Sequence, residues 1–179
     1  MEFPDSIFAL SSGRLPSGVA IVRMSGRHVT SALQALTGPL PQPRHARYAT
    51  LRNRDGSIID RGLVLYFPGP HSFTGEDCGE LHIHGGRAGP AALMTRLSEV
   101  EGMRMAEAGE FTRRAFLNGR LDLTAAEALS DLIAAETEGQ RRLAVEGAGG
   151  RQRDLYLGWR QDILRLRVEV EAQLDFSDE

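Results

Sequence analysis

Hydrophobic positions alternate with polar ones or recur every three to four residues over the first two thirds of the chain, which predicts strands mixed with helices. Asp55 and Gly56 favour the positive φ of a tight turn and join two of the strands as a hairpin. Strands are predicted over residues 6–10, 18–24, 46–53, 57–67, 78–84 and 103–106. One helix is predicted around Val29, Leu33 and Leu36. A second helix is predicted around Leu93, Leu97 and Val100, with Pro90 in its first turn. This mixture of hairpins and crossovers predicts an α+β fold rather than a doubly wound sheet.

The pattern becomes purely helical after Gly109. A short helix is predicted over residues 110–117, closed by Asn118 and Gly119. Thr124 and Glu127 have the spacing of a capping box and predict the start of a new helix. Its buried stripe is expected to consist of Leu129, Leu132 and Ile133.

A long apolar seam follows, with Gly149 and Gly150 as an expected kink before it. Its members recur every three or four residues, at Leu155, Trp159, Ile163, Leu166, Val170 and Leu174. At about 1.5 Å per residue the seam is roughly 30 Å long, and only one or two preceding helices are available to cover it. Residues 174–179 carry no Gly or Pro stop signal. We therefore expect either a second chain on the seam or a protein that continues beyond a truncated end.

Composition excludes several kinds of function. The chain has 179 residues, 41% of them hydrophobic, and a net charge of −3, so no overall field attracts nucleic acid. All 21 basic residues are Arg, and without Lys the usual phosphate-loop chemistry of nucleotide hydrolysis is impossible. Two arginine clusters are interpreted as solvated helix faces: Arg113, Arg114 and Arg120, and Arg141, Arg142, Arg151 and Arg153.

The single cysteine excludes an internal disulfide. No basic and apolar leader opens the chain, and no apolar run approaches the ~20 residues that cross a bilayer. The expected setting is the reducing cytoplasm, without membrane association.

The richest chemistry lies in residues 67–86. Cys78, Glu80, His82 and His84 share one face of a predicted strand, which invites a metal site. Successive side chains on that face are about 7 Å apart, so partly buried, hydrogen-bonding histidines are the preferred interpretation. Glu80 in an apolar strand needs a donor, which a ligand with paired N–H groups provides. Arg23 is either an exposed strand end or a buried cation for a carboxylate or a ligand carbonyl.

Three blocks of this sequence closely resemble the N-terminal part of the MnmE family, also called TrmE, of tRNA uridine-modifying GTPases. They are Gly18-Val-Ala-Ile-Val-Arg-Met-Ser-Gly26, Phe67-Pro-Gly-Pro-His-Ser-Phe-Thr-Gly-Glu-Asp77 with Glu80-Leu-His-Ile-His-Gly-Gly86, and Gly109-Glu-Phe-Thr-Arg-Arg-Ala-Phe-Leu-Asn-Gly-Arg-Leu-Asp-Leu-Thr-Ala-Ala-Glu-Ala128. The resemblance covers essentially the whole chain. It implies an N-terminal mixed-sheet domain similar to the folate-binding T-protein, here residues 1–118, and the first part of a helical domain, residues 119–179.

The family resemblance also implies a function. Its members install a carboxymethylaminomethyl or aminomethyl group on the wobble uridine of certain tRNAs, together with the flavoprotein MnmG. A tetrahydrofolate derivative, 5-formyl- or methylene-tetrahydrofolate, supplies the one-carbon unit, and the N-terminal domain forms a homodimer. GTP, magnesium and potassium belong to a GTPase domain that is inserted in the helical domain and is expected beyond residue 179. This chain should therefore not hydrolyse GTP alone.

Positions matching the family's folate contacts are Arg23, Glu80 and Arg120, and no residue is assigned a catalytic or metal-binding role. Glu80 would accept hydrogen bonds from the pterin edge, while the cations hold folate oxygens. The family usually has Lys at position 120, and the loop at residues 11–17 departs from its Thr-Pro-Pro-Gly pattern. Three alternatives remain: a structural dimerisation module that has lost folate binding, an autonomous aminomethyltransferase of the T-protein type, and a metal enzyme.

Overall fold

The computed structural model describes residues 3–175, which form six strands and six helices. The strands are β1 (Ser6–Leu10), β2 (Val19–Ser25), β3 (Arg47–Arg52), β4 (Ile58–Phe67), β5 (Cys78–His84) and β6 (Met103–Met105). The helices are α1 (Val29–Thr37), α2 (Ala88–Ser98), α3 (Glu110–Leu117), α4 (Leu123–Ala134), α5 (Glu138–Ala148) and α6 (Arg151–Asp175). They divide into two compact units, one ending at Arg120 and one beginning at Leu121.

The N-terminal unit is built on one mixed sheet with the strand order β3-β4-β5-β2-β1-β6. All neighbouring strands are antiparallel except β1 and β6, which run parallel. The turn at Asp55 and Gly56 joins β3 to β4, and Gly56 has the positive φ that the dipeptide predicts. The predicted α+β class, with a mixed sheet followed by helices, is confirmed.

Helices α1 and α2 cover one face of this sheet and bury the core between them and the strands. Because side chains alternate along a strand, Val22 and Met24 of β2 and Leu81 of β5 all point to this side and are inaccessible. Gly79 lets α1 approach, since a Cβ there would lie 3.1 Å from a methyl carbon of Val29. The core cluster contains residues of α1 and α2 and lies on their side of the sheet. The opposite face of the sheet carries Arg23 and Glu80.

The helix that the pattern predicted around Leu93, Leu97 and Val100 ends earlier than expected. α2 stops at Ser98, and Val100 lies beyond it in a turn that leads to β6. Val100 still packs against the core, which explains why it fits the apolar periodicity without being helical. Pro90 lies in the first turn of α2, as predicted.

The capping box predicted at Thr124 is wrong. Asp122 caps α4, and its carboxylate accepts from the backbone N–H of Ala125. The Thr124 hydroxyl lies inside the first turn and donates to that same carboxylate at 2.7 Å. A true capping box opens α5, where Thr137 and Gln140 satisfy each other's backbone amides.

The helical unit buries few of its apolar side chains. In α4 the expected stripe is only partly formed, because Ile133 is 79% exposed while Leu129 and Leu132 are half-buried. The expected kink is a helix break, with Gly149 closing α5 before α6 begins. All six seam residues of α6 are exposed, from Leu155 to Leu174. The expectation that the protein continues rests partly on the lack of a stop signal in residues 174–179. Residues 176–179 lie outside the described part of the chain.

No helix within residues 3–175 is both long enough and apolar enough to cross a membrane.

Candidate functional site

Arg23 and Glu80 form an ion pair at the centre of the open sheet face. They are directly opposite in the antiparallel register of β2 and β5. The Arg23 guanidinium contacts one Glu80 oxygen through Nε at 3.0 Å and through a terminal nitrogen at 2.9 Å. The side chains are 34% and 18% exposed, so both remain accessible to a ligand. Arg23 is therefore neither a fully exposed strand end nor a fully buried cation: it pairs with the Glu80 carboxylate and remains partly exposed.

His82 holds the second oxygen of Glu80, with its Nε2 at 3.0 Å. Burial alone would raise the pKa of the Glu80 carboxyl, but the hydrogen bond from His82 and the charge and hydrogen bond of Arg23 outweigh it and lower the pKa. Glu80 is therefore an ionised acceptor with a donor on each oxygen. A carboxylate oxygen has a further lone pair, so this arrangement still leaves room for donors from a ligand.

The loop of residues 68–77, which joins β4 to β5, forms a wall beside this pair. Phe73 is 36% exposed, and its ring centre lies 5.7 Å from the guanidinium carbon of Arg23. Asp77 closes the base of the loop by accepting from the backbone N–H of Gly69 at 2.9 Å. Burial and a hydrogen bond to Asp77 raise the pKa of Tyr66 to about 12, so its hydroxyl stays a donor at this base. Sequence reasoning missed Phe73, whose only signal is an aromatic side chain in a turn-rich loop.

Arg120, the third predicted contact residue, lies against the same loop at Gly75. It follows α3, and its side chain packs on Gly75, where an added Cβ would come within 3.1 Å of the Arg120 Cγ. Within the described part of the chain, no hydrogen bond or ion pair joins Arg120 to Arg23 or Glu80. The structure thus brings Arg23 and Glu80 together directly, while Arg120 is connected to them through the loop.

The loop of residues 11–17 reaches the end of β5. The Ser17 backbone N–H donates to the Gly85 carbonyl at 2.9 Å. A Cβ on Gly85 would lie 2.3 Å from the Ser17 carbonyl oxygen, so glycine is required for this close approach. The first glycine of the pair after His84 therefore has a packing role.

Arg114 is not solvated, which contradicts the interpretation of its cluster. Its side chain is completely inaccessible and makes ion pairs with Asp5, Glu76 and Glu110. Arg113 and Arg120 are exposed, as predicted. In the second cluster, Arg141 and Arg142 pair with Glu138 on the surface of α5, and Arg153 is also exposed. The side chain of Arg151 is not among those that the structure describes.

The four residues that suggested a metal site have protein partners instead. The Cys78 thiol is buried against the Thr74 hydroxyl, with 3.3 Å between Sγ and Oγ1. His84 Nδ1 lies 2.9 Å from Asp60, and His82 is on Glu80. Among the described residues, no group of three or more His, Cys, Asp or Glu side chains could hold a metal ion.

A concavity of about 540 Å³ lies in the helical unit. It is lined by small and apolar side chains of α4, α5 and α6, among them Ala128, Ala144, Leu143 and Tyr156. Two acidic residues, Glu127 and Asp131, stand at its edge. It contains none of the predicted site residues, so it belongs with the exposed apolar surface of this unit.

Two family models match the chain in succession. The model of the "GTP-binding protein TrmE N-terminus" matches residues 6–120, and that of the "MnmE helical domain" matches residues 123–179. A relative from Brucella anthropi, a tRNA modification GTPase MnmE, is 62% identical over 175 residues, which are 98% of this chain and 40% of the relative. The protein of the same name from Brucella canis is 59% identical over 178 residues, again 40% of its length. The chain thus spans about two fifths of these relatives.

Proposed function

Because this chain belongs to the MnmE or TrmE family of tRNA modification GTPases, we propose that it binds a tetrahydrofolate derivative and forms a homodimer within such an enzyme. In this proposal residues 1–118 bind folate and dimerise, and residues 119–179 begin the helical domain. The parent protein would modify the wobble uridine of tRNA together with MnmG in the cytoplasm, with GTP, magnesium and potassium bound outside this chain. The chain has no Lys and hydrolyses no GTP through a phosphate loop.

The observation that carries the folate proposal is the Glu80 carboxylate, ionised, half-buried and held open towards solvent between Arg23 and His82. A pterin presents an amino group and a ring N–H along one edge, which matches the two oxygens of a carboxylate. Its flat ring fits beside the Phe73 side chain. Arg23 and Arg120 supply fixed positive charge for the oxygens of folate.

The folate itself supplies the one-carbon unit, and the residues described above only bind and orient it. Glu80 fixes the pterin edge, and the pair with Arg23 fixes the Glu80 rotamer before the ligand arrives. Such preorganisation lowers the entropic cost of binding. Since no proton is transferred in this scheme, no catalytic residue is assigned in the chain.

Calorimetric titration with 5-formyltetrahydrofolate tests the proposal. Saturable binding is expected, weakened about tenfold or more by Glu80→Gln, which keeps the size of the side chain and removes its charge. Glu107→Gln, the same change at a side chain that is 69% exposed in the same unit, should leave the affinity unchanged. A folded chain that gives no heat with folate would favour the module that has lost folate binding.

Support for the homodimer comes from the sheet face that α1 and α2 leave uncovered. Around Glu80 it presents Val19, Tyr48 and Leu63, which are 53%, 69% and 41% exposed. These residues lie on one side of the sheet by their registers with β5. Exposed apolar side chains grouped on an uncovered sheet face are typical of an interaction surface.

A further inference from the structure

Arg114 is a buried cation on α3 that none of the proposed ligand contacts uses. Its guanidinium lies 2.7 Å from Asp5, 3.0 Å from Glu110 and 3.1 Å from Glu76, and the Phe3 ring covers it at 4.3 Å. A charge inside a protein is tolerated only where opposite charges and hydrogen bonds surround it. Arg114 therefore brings together three carboxylates, of which Asp5 and Glu110 are also paired with Arg104.

Glu76 connects this cluster to the 68–77 loop. One of its oxygens accepts from Arg114, and the other accepts from the Ser25 hydroxyl at 2.6 Å. Because the Ser25 proton is used in that bond, the Thr74 hydroxyl, also at 2.6 Å, donates to Ser25. The Glu76 carboxylate thus joins the end of β2 and the loop to α3.

The part of the loop that is fixed in this way faces the proposed ligand site. Phe73, which lies against Arg23, immediately precedes Thr74. From the other side, the Asn118 side chain donates to the Thr74 carbonyl at 2.8 Å, and Arg120 packs on Gly75. The short stretch from Phe73 to Glu76 therefore determines how far Phe73 and Arg120 stand from the Arg23 and Glu80 pair.

We infer that Arg114 is a positioning residue for the folate site proposed above: acting through Glu76, it holds the 68–77 loop and thereby keeps Phe73 against Arg23 and Gly75 against Arg120. The inference rests on the proposed function for its ligand. Arg114 itself does not touch the site, since it is buried behind the loop. Its contribution is to keep the wall of the site in one arrangement before the ligand binds.

The substitution that tests this is Glu76→Gln rather than a change of Arg114, because removing the buried guanidinium would also take an ion-pair partner from Asp5 and Glu110. Glutamine keeps the length of the side chain and removes the charge that Arg114 holds. We expect the affinity for 5-formyltetrahydrofolate to fall roughly tenfold in calorimetry. Glu107→Gln is the matched control, since the Glu107 side chain is 69% exposed and pairs at the surface with Arg113 at 3.3 Å.

A second measurement separates positioning from a general loss of stability. The second measurement is a double-mutant cycle of Glu76→Gln with Phe73→Ala. If Glu76 acts through the loop, the fold-change in folate affinity caused by Glu76→Gln is smaller when the Phe73 ring is absent. If Glu76→Gln only lowers stability in general, its fold-change is the same with and without the ring. Hydrogen exchange gives a readout without ligand: the protection factor of the backbone N–H of residue 76, which donates to Thr74 Oγ1, should be lower in Glu76→Gln than in Glu107→Gln after division by the intrinsic rate of each sequence.

The outcomes distinguish the two proposals. Equal folate affinities for the unmodified chain and Glu76→Gln would overturn the positioning role and leave the folate site standing. A fully multiplicative cycle with Phe73→Ala would also overturn it. No folate binding by the unmodified chain would overturn the proposed function, and with it the ligand that this inference names, even if hydrogen exchange showed the loop loosened.

Discussion

Glu110 combines a side chain that is only 1% exposed with three guanidinium partners: Arg104 at 2.6 Å, Arg114 at 3.0 Å and, more distantly, Arg113 at 3.8 Å. The hydrogen bond from Arg104 is the main cause that lowers the pKa of Glu110 from 4.5 to about 2, against the opposing effect of burial. Arg104 and Arg114 in turn have raised pKa values and stay charged at every pH of interest. Glu110 therefore links the stability of this unit to pH.

We predict that Glu110→Gln lowers the free energy of unfolding by about 3 kcal/mol at pH 7, the equivalent of its pKa difference. Because the folded pKa lies below the unfolded one, this contribution is complete above about pH 4.5 and is lost as the pH falls towards 2. Urea unfolding of the unmodified chain and of Glu110→Gln between pH 2 and 7 measures this difference in the free energy of unfolding. Their stabilities should converge at the acid end, and a constant difference across the range would contradict the prediction.

The residues of the candidate site show how far sequence reasoning reaches. Arg23 and Glu80 could be singled out because each interrupts an apolar strand. Arg114 could not, because its burial depends on Asp5 and Glu76, which are 109 and 38 positions away along the chain. The local pattern shows only the helical spacing from Glu110 to Arg114, which is equally typical of a solvated surface pair.

At the level of single elements, β4 and β5 approach so closely at Gly62 that a Cβ there would lie 2.0 Å from the His82 carbonyl oxygen. Gly62→Ala should therefore push the strands apart and destabilise the N-terminal unit by about 1 to 3 kcal/mol. Gly158, inside the long helix α6, has no atom within 4 Å of the same added carbon. There the same substitution should stabilise the helix by up to about 1 kcal/mol.

Thermal or urea unfolding followed by circular dichroism compares these two alanine variants directly. Opposite signs are expected, because one glycine is needed for strand packing while the other only loosens a helix. If Gly62→Ala were neutral, the close contact between β4 and β5 would not contribute to stability as the structure implies.

The start of α4 provides a second test at this scale. Asp122→Ala removes the carboxylate that accepts from Ala125 and should cost about 1 kcal/mol. Glu127→Ala, at the position that a capping box would require, should cost clearly less, since Asp122 is the cap. Unfolding followed by helical circular dichroism measures the loss of stability in both variants. A larger loss in Glu127→Ala than in Asp122→Ala would support the capping box that the sequence predicted at Thr124 and Glu127.

Elements were predicted better than their ends and interfaces. All six strands and the helices α1 to α3 follow from period and turn residues, since their apolar faces pack on each other within the unit. The start of α4 was misplaced because Asp122 and Thr124 are both good caps and only the backbone geometry chooses between them. Ile133 was expected to be buried because periodicity shows which side of a helix is apolar but not whether anything covers it.

At the scale of the whole molecule, two apolar surfaces compete as the site of self-association. One is the open sheet face with Tyr48 and Leu63, and the other is the seam along α6 with Trp159, which is 54% exposed. The proposed homodimer uses the sheet face. We therefore predict that Leu63→Glu weakens the dimer at least about thirtyfold, as expected for a central interface contact.

Light scattering over a dilution series measures this dissociation, with Leu143→Glu as the control. Leu143 is 71% exposed and lies on α5 in the helical unit, so the same change there should leave a sheet-mediated dimer intact. A dimer that survives Leu63→Glu but not Leu143→Glu would place the association on the helices instead.

Trp159 is the single tryptophan of the chain, so its fluorescence reports on the α6 seam alone. Its ring centre lies 5.6 Å from that of Tyr156, and both side chains are half exposed. If the sheet face forms the dimer, dilution should halve the mass measured by light scattering without changing the tryptophan fluorescence. The emission should keep the wavelength of a solvent-exposed indole, and acrylamide should quench it equally in the dimer and the monomer. A shift to shorter wavelength that follows the mass would mean that association covers the seam, because burial removes the indole from water. The same signal identifies any further segment or partner that packs on α6, because covering the seam would shift the emission to shorter wavelength.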